Sequence, residues 1–68
     1  MGQLNESEVL LEYRRVGAYV KVSAIDPATR TEVSIVGDPA RSEAELARVA
    51  VSKLRYVMSK RAAERTSR

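Results

Sequence analysis

The sequence reads as an α+β protein, a three-stranded antiparallel meander followed by one long C-terminal helix (βββα), and it is expected to be oligomeric. Three observations predict this. Apolar residues recur with helical spacing over Ser42 to Lys60, they alternate with period two over three earlier segments, and short turn-forming runs separate those segments.

Residues 1–7 carry no pattern and are expected to be a flexible lead-in. From Glu8 to Val16, alternation puts Val9, Leu11, Tyr13 and Arg15 on one face and Leu10, Glu12, Arg14 and Val16 on the other, the signature of a strand. Gly17-Ala18 then suits a two-residue type II′ hairpin, with glycine at the first central position. That turn predicts a register in which Val16 faces Tyr19, Arg14 faces Lys21 and Glu12 faces Ser23 on the outer surface. Tyr13 then faces Val22 and Leu11 faces Ala24 on the core side. Arg14 against Lys21 is a like-charge pair, for which Glu32 is the expected carboxylate partner.

The second strand, Tyr19 to Ile25, directs Val20, Val22 and Ala24 inward. Asp26 to Arg30 (DPATR) reads as a turn, with Asp at its first position and Pro at its second, although glycine would suit position 30 better than arginine. The third strand, Thr31 to Val36, points Val33 and Ile35 inward, and Gly37-Asp38-Pro39 leads to the helix. Ser42 and Glu45 form a capping-box pattern at its start. At 100° per residue Leu46, Val49, Ala50, Leu54, Val57 and Met58 share one side, and Tyr56, Ala47 and Val51 widen the apolar arc to roughly 240°, more than one sheet covers. The single domain is expected to span residues 8–62, with 63–68 as a basic flexible tail.

A domain of 68 residues buries only about 60% of its unfolded surface. Without cysteine or histidine, disulfides and the commonest metal ligands are unavailable, which leaves self-association as the expected source of added stability. The surplus apolar arc and the outer sheet face supply candidate interface residues: Val49, Tyr56, Val57, Leu10, Tyr19 and Ile25. The rival expectation is a monomer in which the N-terminal segment with Leu4 covers the helix flank. No secretory signal and no bilayer-length apolar run is apparent, so a cytoplasmic protein is expected.

Catalysis is not expected, nor is any cofactor or metal. The acidic residues sit at strand, turn and cap positions that explain them, and the glycines at 2, 17 and 37 form no phosphate loop. Net charge is +3 but uneven: residues 1–40 hold four basic and six acidic side chains, whereas residues 53–68 hold six basic side chains and only Glu64. The alternative to a protein-interaction module is therefore nucleic-acid binding. Its contacts would be Arg14, Arg15, Lys21 and Arg30 on the sheet, with Lys53, Lys60, Arg61, Arg65 and Arg68 on phosphates. In order of elements the chain resembles the small arm-binding domains of phage integrases, which insert a three-stranded sheet into the major groove. Glu12 and Glu32 would interrupt such a surface.

A closer likeness covers most of the chain. Tyr13-Arg14-Arg15-Val16-Gly17, the run Val20 to Pro27, and Glu32 to Gly37, followed by a helix ending in KLRYVMSKR, resemble a family of short bacterial proteins of unknown function. The resemblance implies a stand-alone protein and transfers no site.

Overall fold

The computed structural model describes residues 8–66. Strands β1 (Leu10–Val16), β2 (Tyr19–Asp26) and β3 (Thr31–Gly37) precede a single helix, α1 (Glu43–Thr66). The sheet order is β1-β2-β3 with both pairs antiparallel, so the predicted meander and helix are present.

The first hairpin has the predicted register throughout: Val16 pairs with Tyr19, Arg14 with Lys21, Glu12 with Ser23, Tyr13 with Val22 and Leu11 with Ala24. Gly17 sits at φ 60, while Ala18 has no positive φ, which matches a turn demanding glycine only at its first central position. In the second turn Arg30 adopts φ 62, the left-handed conformation for which glycine would have been suited. The turn is held from within. Arg30 N donates to Asp26 O at 2.7 Å, Thr29 N and Oγ1 donate to Asp26 Oδ2 at 3.1 and 2.7 Å, and the Thr29 and Thr31 hydroxyls lie 2.8 Å apart. These bonds satisfy a carboxylate and a threonine that are both buried, and they compensate the strain at residue 30.

Between β3 and α1 the chain turns within five residues, 38–42. Asp38 organises this link by accepting from Ala40 N at 2.9 Å through Oδ1 and from Arg41 N at 3.0 Å through its carbonyl. Ser42 Oγ accepts from Glu45 N at 3.1 Å, the predicted N-cap. The other half of the expected capping box is replaced: Glu45 Oε2 accepts from the Arg41 guanidinium at 2.9 Å instead, because an exposed cation one turn back outcompetes a backbone amide. The helix continues to Thr66, adding about a turn and a half after Lys60. After Lys60 come good helix formers and no glycine or proline, and Arg65 complements the negative end of the dipole.

The core is a narrow stripe. Leu46, Ala50 and Leu54 on α1 pack on Val22, Ala24 and Val33, with Val9, Val20, Ile35, Val57 and Met58 partly buried around them. Gly37 lies against this stripe so closely that a Cβ there would meet the Leu46 side chain. Expectation and structure part at β1. Leu11 and Tyr13 point to the predicted core face yet remain 40% and 37% exposed, because α1 contacts β2 and β3 and hardly reaches β1. A helix about 10 Å across covers roughly two strands spaced about 4.8 Å apart. The short link tethers α1 beside β3, so the two strands it covers are β3 and β2.

Leu54 is fully buried at the centre of the stripe. Leu54→Ala is expected to lower stability by about 2–5 kcal/mol in denaturant titrations. Arg30→Gly should act in the opposite direction, raising stability by about 0.5–1 kcal/mol as the left-handed strain is relieved, measured by the same titration.

Candidate functional site

The residues open to a partner lie on three surfaces. On the helix, Val49 and Tyr56 are 50% and 65% exposed and flank a shallow hollow with Glu45, Arg48, Ser52 and Lys53. Val57, expected beside them, instead packs against the core, since it falls on the Leu46–Ala50 side of the helix. On the outer sheet face Leu10, Val16, Tyr19 and Val36 are exposed, and Ile25, paired with Leu10, is half-buried. The third surface is β1 itself, exposed in all seven residues. The expected interface residues are thus divided between the helix flank and the opposite side of the sheet. Leu11 and Tyr13 join the exposed set, and the short link after β3 is the sequence signal for this, since it confines one helix to two strands.

The outer face carries a charged centre. Arg14 and Lys21 are directly opposite one another. The register places Val36 across from Lys21 on the other side and Glu32 across from Ile25, so Glu32 does not serve as their partner. Arg41 and Glu45 form a salt bridge at the helix start, away from this pair. Ser23 and Ser34 bridge β2 and β3 through their hydroxyls at 3.0 Å.

The cations expected to contact nucleic acid lie in three parts of the fold: the sheet, the far turn and the helix. Arg15 points to the helix side and donates from Nε to Gly17 O at 3.2 Å. Arg30 lies in the turn at the opposite end of the sheet. Lys53 Nζ donates to Ser34 O at 2.9 Å, tying the helix to the free edge of β3. Lys60, Arg61 and Arg65 are exposed on the last turns, where Arg61 and Arg65 line a polar hollow of about 260 Å³ with Thr29, Thr31 and Met58. Arg68 lies outside the described residues, as do Leu4 and the lead-in 1–7.

Tyr13 connects β1 to the helix start, its hydroxyl donating to Glu43 O at 3.3 Å. Among the described residues no helix is long and apolar enough to cross a membrane, and no three His, Cys, Asp or Glu side chains gather as metal ligands.

The model of one family, the domain of unknown function DUF6898, matches residues 6–61. The chain belongs to this family. The DUF6898 match takes in all three strands and most of the helix, and it stops before Arg65 and Arg68. No curated protein and no solved structure matches the chain.

The like-charge pair generates a prediction. Lys21→Glu places a carboxylate opposite Arg14 in this DUF6898 chain and is expected to raise stability by roughly 0.2–1 kcal/mol at low ionic strength. The gain should fade in 1 M salt, as thermal or denaturant unfolding at the two salt concentrations would reveal.

Proposed function

We propose that this protein is a non-catalytic, self-associating interaction module, with β1 and the adjoining outer sheet face as its principal contact surface. One observation carries the reading: β1 is exposed along its whole length and bears Leu10, Leu11, Tyr13 and Val16, four of the large hydrophobic side chains left open to solvent. An edge strand presents unpaired backbone donors and acceptors, and an apolar one without a cover is a template for another strand. The lack of disulfides and histidine ligands supports assembly as the remaining route to stability.

The acidic groups support a non-catalytic role, since several already serve structure. Asp26 holds the β2–β3 turn, Asp38 holds the link to the helix, and Glu45 pairs with Arg41. The dispersal of the cations over the sheet, the far turn and the helix end favours a protein partner over nucleic acid.

Light scattering over a concentration series, with and without a short DNA duplex at low salt, tests the reading. The expected mass is a multiple of 7.5 kDa that DNA leaves unchanged. A monomer that forms a salt-sensitive complex with DNA would overturn it in favour of phosphate binding through the helix-end cations.

A further inference from the structure

We propose that β1 pairs with β1 of a second copy in an antiparallel ladder about a two-fold axis through Tyr13, joining two meanders into a six-stranded sheet. This geometry rests on the self-association proposed above and specifies its register.

The backbone supplies the first reason. A two-residue hairpin closes on a hydrogen-bonded pair, here Val16 with Tyr19, and bonded and non-bonded pairs then alternate along the ladder. Leu10, Glu12, Arg14 and Val16 therefore spend their N–H and C=O groups on β2. Those of Leu11, Tyr13 and Arg15 point outward at the free edge. An axis through Tyr13 makes Tyr13 with the partner's Tyr13, and Leu11 with the partner's Arg15, the bonded pairs. Six backbone hydrogen bonds form from groups that are otherwise left to water.

The side chains supply the second reason, because the outer face of β1 is self-complementary about Tyr13. Its residues read Leu10, Glu12, Arg14, Val16. Reversal about the axis puts Glu12 opposite the partner's Arg14 and Leu10 opposite the partner's Val16, each pair occurring twice. Both are non-bonded pairs, in which side chains approach most closely. The partner's Glu12 thereby provides the carboxylate that Arg14 and Lys21 lack within one chain. The apolar residues join as well: Ile25, Leu10, the partner's Val16 and the partner's Tyr19 form one row across four strands.

Neighbouring registers lose this match. Moving the axis by one residue sets Glu12 against Glu12 or Arg14 against Arg14. Moving it by two sets Leu10 against Glu12 or Arg15 against Arg15. On the helix side, Leu11 meets the aliphatic stem of the partner's Arg15, and each Tyr13 leans toward its own helix through its bond to Glu43, so the two rings do not compete for the axis.

Charge reversal tests the register in the full chain. Glu12→Arg alone and Arg14→Glu alone each create two like-charge pairs across the axis and should weaken dimerisation at least tenfold, with circular dichroism confirming that the variants are folded. Mixing the two variants in equal amounts restores opposite charges at every pair, so the mixture should recover the mass of a dimer. The chain has no cysteine, so Glu12→Cys mixed with Arg14→Cys should give a disulfide-linked heterodimer under mild oxidation. A wild-type dimer insensitive to both reversals, or a mixture that stays monomeric, would overturn the register while leaving self-association standing. A wild-type monomer at all concentrations would overturn both.

Discussion

The structure depends on a mismatch of widths: one helix lies on three strands and can shield only two. Leu46, Ala50 and Leu54 commit α1 to Val22, Ala24 and Val33. The five-residue link organised by Asp38 and Ser42 then holds the helix start beside the end of β3. Moving the helix toward β1 would uncover Val33 and stretch that link. Burying a Val or Leu side chain stabilises by about 1.5–3 kcal/mol, so the stripe dominates the placement of the helix. Tyr13 is the main tie between β1 and α1, and a single exposed hydrogen bond is a weak one.

From this constraint follows the contrast between the two edges of the sheet. At the β3 edge, Lys53 reaches over to the Ser34 carbonyl, so a charged side chain occupies a backbone acceptor and blunts the strand. At the β1 edge nothing comparable is present among the described residues, and the strand shows apolar side chains on both faces. The described residues thus leave one protected edge and one open edge. In the proposed dimer, that asymmetry would favour a closed pair over a growing ribbon, because with β1 paired the remaining edges are the guarded ones.

Strain in the fold sits where local bonding is dense. Arg30 holds a left-handed conformation in a turn braced by Asp26, Thr29 and Thr31. Its alkyl chain and charge are exposed, so the position tolerates a residue whose backbone preference is wrong. The opposed Arg14 and Lys21 are a second local conflict, and the hairpin bears it because the Gly17 turn dictates their pairing. Both conflicts are small beside the burial of the helix stripe.

Much of this was legible in the sequence. Alternation and turn chemistry determined three strands, the register of the first hairpin down to individual pairs, and the position where glycine is missing at residue 30. The helix, its Ser42 cap and its buried Leu54 followed from periodicity. These are local properties, decided by sterics and hydrogen bonds among residues close in the chain. What the sequence alone did not decide was which part of a 240° apolar arc would be used, and which strand would go uncovered. Val57 went to the core and Val49 to solvent, while Leu11 and Tyr13 remained open on the face expected to be buried. Glu45 turned to Arg41 and Glu32 stayed apart from Lys21. Each of these outcomes depends on distances between elements, set by the width of a helix, the spacing of strands and the length of one link, and those become definite only when the chain is packed.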